Sequence, residues 1–343
     1  MKTISAKDKS GRIAGPMLRL MVAAVFVISI PDNPCVRGGD VRAETKSANP
    51  VFSSGGKDKY VFDTGILRGE IRKSTAGRLA PDDLALGLSS LVHVHSGTKV
   101  SGKYGVFSYY RIFTTNQRYG HAAWEWPSVS KLLADGAVQI VWPAEPNHPF
   151  ELTATYRLSG QAAIDVQTVV KAQKDLPHFE VFLASYFHEA FPASRVYVGK
   201  NPKAEGKPGF MAAEKSFGDW LMFPRTEDVL PMIHDGRWEK EPNPVKWIIM
   251  PRMAAPIGVR QTTAGNLAVV LMAPPEDCFA ISTPYEGEGH YSTYLSLFGR
   301  DVRAGQTVKA HCRLVVGAGF SDDQILALYK EYMKELRGFT ASE

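Results

Sequence analysis

Two stretches of this chain put carboxylate, imidazole and aromatic side chains close enough in sequence to do acid/base chemistry. The first runs Tyr109-Tyr110-Arg111 and then Asn116 to Pro127, with Arg118, His121, Trp124 and Glu125 inside it. Aromatic rings stack on the C–H faces of sugar rings, while Arg, Asn, His and Glu bond hydroxyls or a carboxylate. The second is Thr283 to Tyr291, where Glu286, Glu288 and His290 alternate, so an extended backbone would put them on one face. Carboxylate and imidazole can both be tuned toward neutral pKa values, as a general acid/base pair requires. The expected catalytic set is His121, Glu286 and His290, with His121 and Glu286 in one groove. Tyr110, Arg111, Arg118 and Trp124 are the expected substrate-binding residues beside them. The plainer alternatives are a packed core edge for the first stretch and a solvated hairpin loop for the second.

A third stretch, His93-Val94-His95, falls in an expected strand, where residues i and i+2 share a face and two imidazoles could reach one metal. Gly87 precedes it at the spacing that opens a cupin metal motif, Gly-x5-His-x-His. The glutamate that motif needs is absent from Ser96 to Val100, so neither a metal nor another cofactor is expected. A metal-dependent activity at this pair stays open as a third reading. His311 alternates with Lys309 and Arg313 and is expected on a wet face. His148, His178 and His234 sit beside Pro or Asp and are expected in solvated turns. There is no Gly-rich phosphate loop, no Gly-x-Ser-x-Gly elbow, no Cys-x-x-Cys pair and no His-Glu-x-x-His helix.

Composition narrows the class. The chain is 44% hydrophobic and 22% charged, with 30 Gly and 22 Pro, which is enough apolar residue for a large core. Residues 1–43 carry seven Lys/Arg against three Asp, which leaves 33 basic and 32 acidic residues in 44–343. The formal charge of +5 therefore belongs mostly to the first 43 residues, and nothing argues for a nucleic-acid partner. Five cations in residues 1–19, an uncharged run from Leu20 to Ile30, Pro31, and Val41-Arg42-Ala43 together describe a signal peptide over 1–43. Eleven apolar residues are too few for a membrane span, which takes about 20. A secreted or periplasmic chain with no membrane span after cleavage is expected. Export would leave Cys278 and Cys312 in an oxidising compartment, where either a bridge or two buried thiols fits them.

The elements that must position these groups are mostly strands. Leu152, Ala154, Tyr156 and Leu158 alternate with polar residues, and Ile164, Val166, Thr168 and Val170 repeat the pattern after Ser159-Gly160. Phe179 to Phe187 is apolar on both faces, as in a strand covered on two sides. Further strands are expected at 61–66, 90–95, 137–142, 245–250, 267–272, 278–282, 291–298 and 307–316. A capping box at Ser321 and Gln324 opens one amphipathic helix with Ile325, Leu328, Tyr329, Tyr332, Met333 and Leu336 on its apolar stripe. A shorter helical stretch is expected near Ser128–Leu133. Residues 199–244, dense in Gly, Pro and charge, read as a loop-rich insertion. The expectation is an all-β fold over 44–343, a single large antiparallel sandwich with one C-terminal helix.

The segments Glu151–Leu158, Ala163–Val170 and Ser185-Tyr186-Phe187 resemble the central strands of aldose 1-epimerases, the galactose mutarotases. The turn Arg303–Gln306 before the last strand resembles that family's closing turn, and Gly120-His121 lies where its His-Gly-Gly segment falls. The resemblance implies a supersandwich fold with a carbohydrate-sized cleft. It adds Tyr186 and His188 as candidate substrate-binding residues and matches Glu286 to the family's catalytic glutamate. The family's acid histidine corresponds to Ala184 here. His188, four residues on and expected on the same strand face, is the nearest imidazole.

The expected function is an exported carbohydrate-active protein that binds a sugar or oligosaccharide in a sheet groove, with epimerase-, lyase- or hydrolase-type acid/base chemistry. Lyase chemistry needs an Arg to neutralise a uronate carboxylate and a Tyr or His to take the α-proton. The loss of the acid histidine at Ala184 favours the alternative, a non-catalytic carbohydrate-binding or envelope protein.

Overall fold

Period-two alternation builds three sheets in the computed structural model, which describes residues 50–72 and 87–340; the expected signal peptide, 1–43, lies outside the described residues. Phe150–Leu158 pairs antiparallel with Ala163–Ala172 in unbroken register, Phe150 opposite Ala172 and Leu158 opposite Ile164. These two strands sit within a nine-stranded sheet. Its order is Gly209–Ala212, Ala193–Val198, Met253–Gln261, Ala268–Met272, Thr307–Gly317, Ala163–Ala172, Phe150–Leu158, Val138–Trp142 and Val129–Leu132. A seven-stranded sheet runs Ile248–Ile249, Trp220–Pro224, Cys278–Pro284, Ser292–Val302, Leu176–Tyr186, Ser108–Thr114 and Gln117–Arg118. Its strands pair antiparallel except the short edge contact between Trp220–Pro224 and Ile248–Ile249.

The two large sheets pack into one core. Tyr109 crosses from the seven-stranded sheet to hydrogen-bond Thr168 of the other at 2.6 Å, and its ring lies 5.1 Å from Trp142. Tyr156 answers from the nine-stranded sheet, donating to the Phe107 carbonyl at 2.7 Å. Both hydroxyls are buried and partnered, which is what burying a tyrosine requires. The expected all-β sandwich with one C-terminal amphipathic helix is what the chain forms. The helix spans Asp322–Thr340 and runs on through Gly338. The Ser321 backbone N–H donates to Gln324 Oε1 and the Gln324 N–H returns to Ser321 Oγ, closing the capping box. Ile325 and Tyr332 pack against Ile257, Val259, Val270 and Val315 of the nine-stranded sheet.

Four expectations change. Val129–Leu132 is an edge strand, not a helix, because Asp135-Gly136 folds it back on Val138–Trp142 as a hairpin. A third sheet precedes the sandwich, with Lys59–Asp63, Leu67–Arg72 and Leu88–His93 at its centre. Lys59–Asp63 and Leu67–Arg72 alternate, a register shift at Glu70/Ile71 breaks the alternation in Leu88–His93, and Tyr60, Phe62, Leu67, Ile71, Leu88 and Leu91 join the main core. The loop-rich 199–244 segment contains two strands, Gly209–Ala212 and Trp220–Pro224, at or near sheet edges. His148 is not solvated: it is 1% exposed, its ring lies flat on Trp126 at 3.9 Å, and Nε2 donates to the Pro143 carbonyl. Cys278 and Cys312 are both buried free thiols.

Candidate functional site

A break in strand register builds the site. Along the pairing of Leu176–Tyr186 with Ser108–Thr114, Phe182 faces Arg111 and the next residue, Leu183, faces Tyr109. Tyr110 is therefore the extra residue of a β-bulge, which re-aims a side chain that regular alternation would send inward. Tyr109 points into the sandwich, while Tyr110 and Arg111, adjacent in sequence, both line a cavity on the other face of the seven-stranded sheet. Phe182 and Tyr186 on one neighbouring strand, Tyr294 on the next and Trp220 further along complete its floor.

The cavity has a volume of about 440 Å³, within the roughly 300–1,000 Å³ usual for small-ligand sites. Its walls are aromatic. Tyr110 stacks on Trp124 at 4.6 Å and 2° from parallel, and Tyr104 stacks on the same indole at 6.0 Å and 4°. Opposite them Trp238 and Trp247 meet edge to face at 5.2 Å, Trp220 meets Trp247 at 5.9 Å, and Phe182 supports Trp238 at 4.8 Å. Trp238 and the Asn243–Trp247 segment come from or follow the loop-rich insertion. They are held by a buried ion pair, Arg237 Nη1 to Glu180 Oε2 at 2.9 Å, with Asp235 on the far side of the guanidinium at 2.8 Å. Burial pushes the Glu180 carboxyl up against the pull of Arg237.

Electrostatically the cavity favours negative charge. Arg111 is 4% exposed and donates through Nη2 to the Asn243 carbonyl at 2.7 Å and to Tyr110 Oη at 3.4 Å. Its Nε and Nη1 are buried without a partner, as are the Nε1 atoms of Trp124, Trp238 and Trp247. All of these unmet groups are donors, so the wall is short of acceptors. Arg118 adds a second guanidinium behind the cavity, donating to the carbonyls of Pro242 and His121 and lying 5.7 Å from the Tyr110 ring.

Three tyrosines in this cavity are tuned in opposite directions. Burial pushes Tyr186 well above the usual phenol range and Tyr294 up to about 12. Burial would raise Tyr110 too, but the charge and hydrogen bond of Arg111, the bond from Asn243 and the charge of Arg118 outweigh it. The Tyr110 phenol sits below its ordinary value. The two upward shifts are what burial does to any core tyrosine, Tyr109 and Tyr156 included, so Tyr110 is the one that its charged neighbours set apart.

The structure brings six of the nine expected site residues to this cavity: Tyr110, Arg111, His121, Trp124, Tyr186 and His290. His121 is tied to Glu125 by an ion pair through Nδ1. Arg118 stands behind Tyr110, as above. His188 lies past the end of its strand, not on the strand face with Tyr186 and Phe182, and lines an adjoining cavity. Glu286 lines neither cavity. Glu286–Glu288 is a 3-10 turn rather than extended backbone, and Glu288, not Glu286, lines the adjoining cavity. Both Glu288 carboxylate oxygens lie 2.7 Å from His290 Nδ1, and one accepts the His290 backbone N–H. Ala184 lies between Phe182 and Tyr186 on the same outward row, so no imidazole stands there. The residues missed from sequence include Tyr104, Phe182, Trp220, Trp238, Asn243, Trp247 and Tyr294. The tryptophan density of 220–247 was the signal for three of them, Trp220, Trp238 and Trp247.

Among the described residues no group of three or more His, Cys, Asp or Glu is assembled to hold a metal ion. His93 ends its strand and bonds Ser96 Oγ at 2.8 Å, while His95 is in the following turn with its ring 5.9 Å away. Neither lines the aromatic cavity.

No protein-family model matches the chain, and no curated protein matches it. Among solved structures it is similar, at low identity, to galactose mutarotase-like proteins and to a lyase. A galactose mutarotase related enzyme from Lactobacillus acidophilus matches at 8% identity and TM-score 0.46, over 77% of this chain and 99% of that one. A galactose mutarotase-like protein from Lactobacillus casei matches at 10% identity and TM-score 0.43, over 78% of this chain and 99% of that one. A mutant of the heparan sulfate lyase HepC from Pedobacter heparinus matches at 8% identity and TM-score 0.46, over 79% of this chain and 37% of that one.

Proposed function

We propose that this chain is an exported carbohydrate-active protein that binds a uronate-bearing saccharide in the aromatic cavity and cleaves it by β-elimination. The observation that carries the reading is the bulge that sets the Tyr110 phenol beside the incompletely partnered Arg111 guanidinium in one aromatic cavity. Arg111 would take the uronate carboxylate, drawing charge away from the carbon α to it and making that C–H acidic. Tyr110, as phenolate, would remove the α-proton. The electron pair left behind would form the double bond as the bond between the β carbon and the glycosidic oxygen breaks. His290 would protonate that oxygen, its Nδ1 held by Glu288 and its other nitrogen left to carry the proton. The Tyr110–Trp124–Tyr104 stack would seat the sugar faces.

Export rests on the cation-first leader and its Leu20–Ile30 apolar run. Incubation with a panel of uronate polymers, followed by ultraviolet absorbance of the unsaturated uronate end, tests the reaction. Turnover abolished in Tyr110→Phe supports it. Saccharide binding with no new absorbance and no new reducing ends on any polymer would select the non-catalytic reading instead.

A further inference from the structure

We propose that Arg260 is a positioning residue for His290, holding the loop that delivers this acid to the aromatic cavity. The role deepens the functional reading above and rests on it for what His290 does. Arg260 belongs to the Met253–Gln261 strand of the nine-stranded sheet, yet its side chain crosses the sandwich to the other sheet and is 1% exposed. Two other buried arginines face carboxylates, Arg237 with Glu180 and Asp235, and Arg313 with Asp165 and Glu335. Among the described residues Arg260 donates only to neutral oxygens. A guanidinium taken out of water with no adjacent counter-ion is costly, and burial pulls this one down to about 9. The groups whose charge opposes that pull are Tyr294, Glu288, Tyr291 and Glu286, all on or beside the loop 285–291.

The fork grips both feet of that loop. Nη2 donates to the Ser292 carbonyl at 2.6 Å and to Thr283 Oγ1 at 2.9 Å, and Nε donates to Thr293 Oγ1 at 3.3 Å. Thr283 stands near the end of Cys278–Pro284, while Ser292 and Thr293 open Ser292–Val302. Backbone pairing between these two strands stops at Ser282 opposite Tyr294. Beyond it, side-chain bonds hold the feet together: those of Arg260, and Thr283 Oγ1 donating to the Ser292 carbonyl at 2.9 Å. Nη1 donates to the Pro192 and Phe191 carbonyls at 2.9 and 3.3 Å, on the segment that follows the Leu176–Tyr186 strand. That segment also holds the loop directly, because the Phe187 N–H donates to the Tyr291 carbonyl at 2.9 Å. Three segments that converge on the site are thus tied through one planar group, a geometry that lysine cannot reproduce. At the near end of the loop His290 meets Trp220 edge to face at 5.3 Å and lines the cavity.

The test is turnover, by the full chain, of two uronates that differ at the β carbon. One carries a sugar there, whose oxygen must gain a proton as it leaves. The other carries nitrophenolate, which departs as a stable anion and needs no acid. Arg260→Lys keeps the charge and loses the fork, while Thr283→Val removes one partner and leaves Arg260 in place. Arg260→Lys is expected to lower kcat on the glycoside about tenfold to a hundredfold with KM nearly unchanged, and on the nitrophenyl substrate by less than about twofold. Thr283→Val is expected to show the same selectivity at about threefold, and it decides the matter if Arg260→Lys does not fold. Equal losses on the two substrates, or no loss on either, would overturn the positioning role while leaving the elimination reading intact. Wild type that turns over neither substrate would instead overturn the elimination reading, and the role of Arg260 with it.

Discussion

Tyr110 and Arg111 are neighbours in the chain and neighbours in the cavity, with the guanidinium carbon 4.9 Å from the phenol ring centroid. In a regular strand they would stand on opposite faces of the sheet. The bulge opposite Phe182 and Leu183 puts them on the same one, and with that places a permanent cation against an ionisable hydroxyl. The depressed phenol pKa follows from local backbone geometry.

If Tyr110 is the base, turnover rises with pH as the phenol loses its proton, with a midpoint below the usual phenol value of about 10. Arg111→Gln removes the principal charge that lowers this pKa. It is expected to move the midpoint to higher pH and to lower the rate at neutral pH. A pH–rate profile of both proteins measures this, and an unmoved midpoint would count against Tyr110 as the base.

Tyr110→Phe is expected to lower turnover about a hundredfold to ten-thousandfold while leaving saccharide affinity nearly unchanged. Trp124→Ala should do the reverse, weakening binding about tenfold or more because the ring holds both Tyr104 and Tyr110 in their stacks. Binding by calorimetry and turnover by absorbance separate the two.

Arg237→Met leaves Glu180 and Asp235 without their cation in a buried setting and is expected to cost about 3–5 kcal/mol of stability. Burial already raises the Glu180 carboxyl, and removing Arg237 raises it further, so the variant takes up a proton there as pH falls. The loss is therefore greatest at neutral pH and smaller in mild acid. Denaturant titrations at two pH values check both size and sign.

Burial pushes the Cys278 thiol up to about 12 and Cys312 well above its usual value. In a chain starting at residue 44, a thiol reagent at mildly alkaline pH is expected to find no reactive cysteine until denaturant is added, and then two. Fast modification of the folded protein, or none after unfolding without reductant, would contradict two buried free thiols.

Strand periodicity made the sandwich legible. The alternation in 150–158 and 163–172 is local, and it foretold both strands and the face each turns to the core. The bulge at Tyr110 was not legible, because it exists only relative to the register of a strand some 70 residues away. Glu288 displaced Glu286 for a related reason: Gly289, at φ 93°, ends a 3-10 turn that breaks the alternation from which a shared face was inferred. The 199–244 insertion looked like solvated loop because its charges dominate its composition. Two of those charges, Asp235 and Arg237, are spent on each other and on Glu180, and this internal pairing is what allows Trp238 to reach the site.

Four of the chain's six tryptophans, Trp124, Trp220, Trp238 and Trp247, line the aromatic cavity. Most of the protein's indoles therefore stand at one place. Edge-to-face contacts at 5.2 and 5.9 Å link three of these indoles closely enough to exchange excitation. Anything that enters the cavity changes the surroundings of the dominant fluorophores at once. The folded, unlabelled protein is thus its own optical reporter, and a library of glycans can be screened against it without knowing in advance which bond, if any, it breaks.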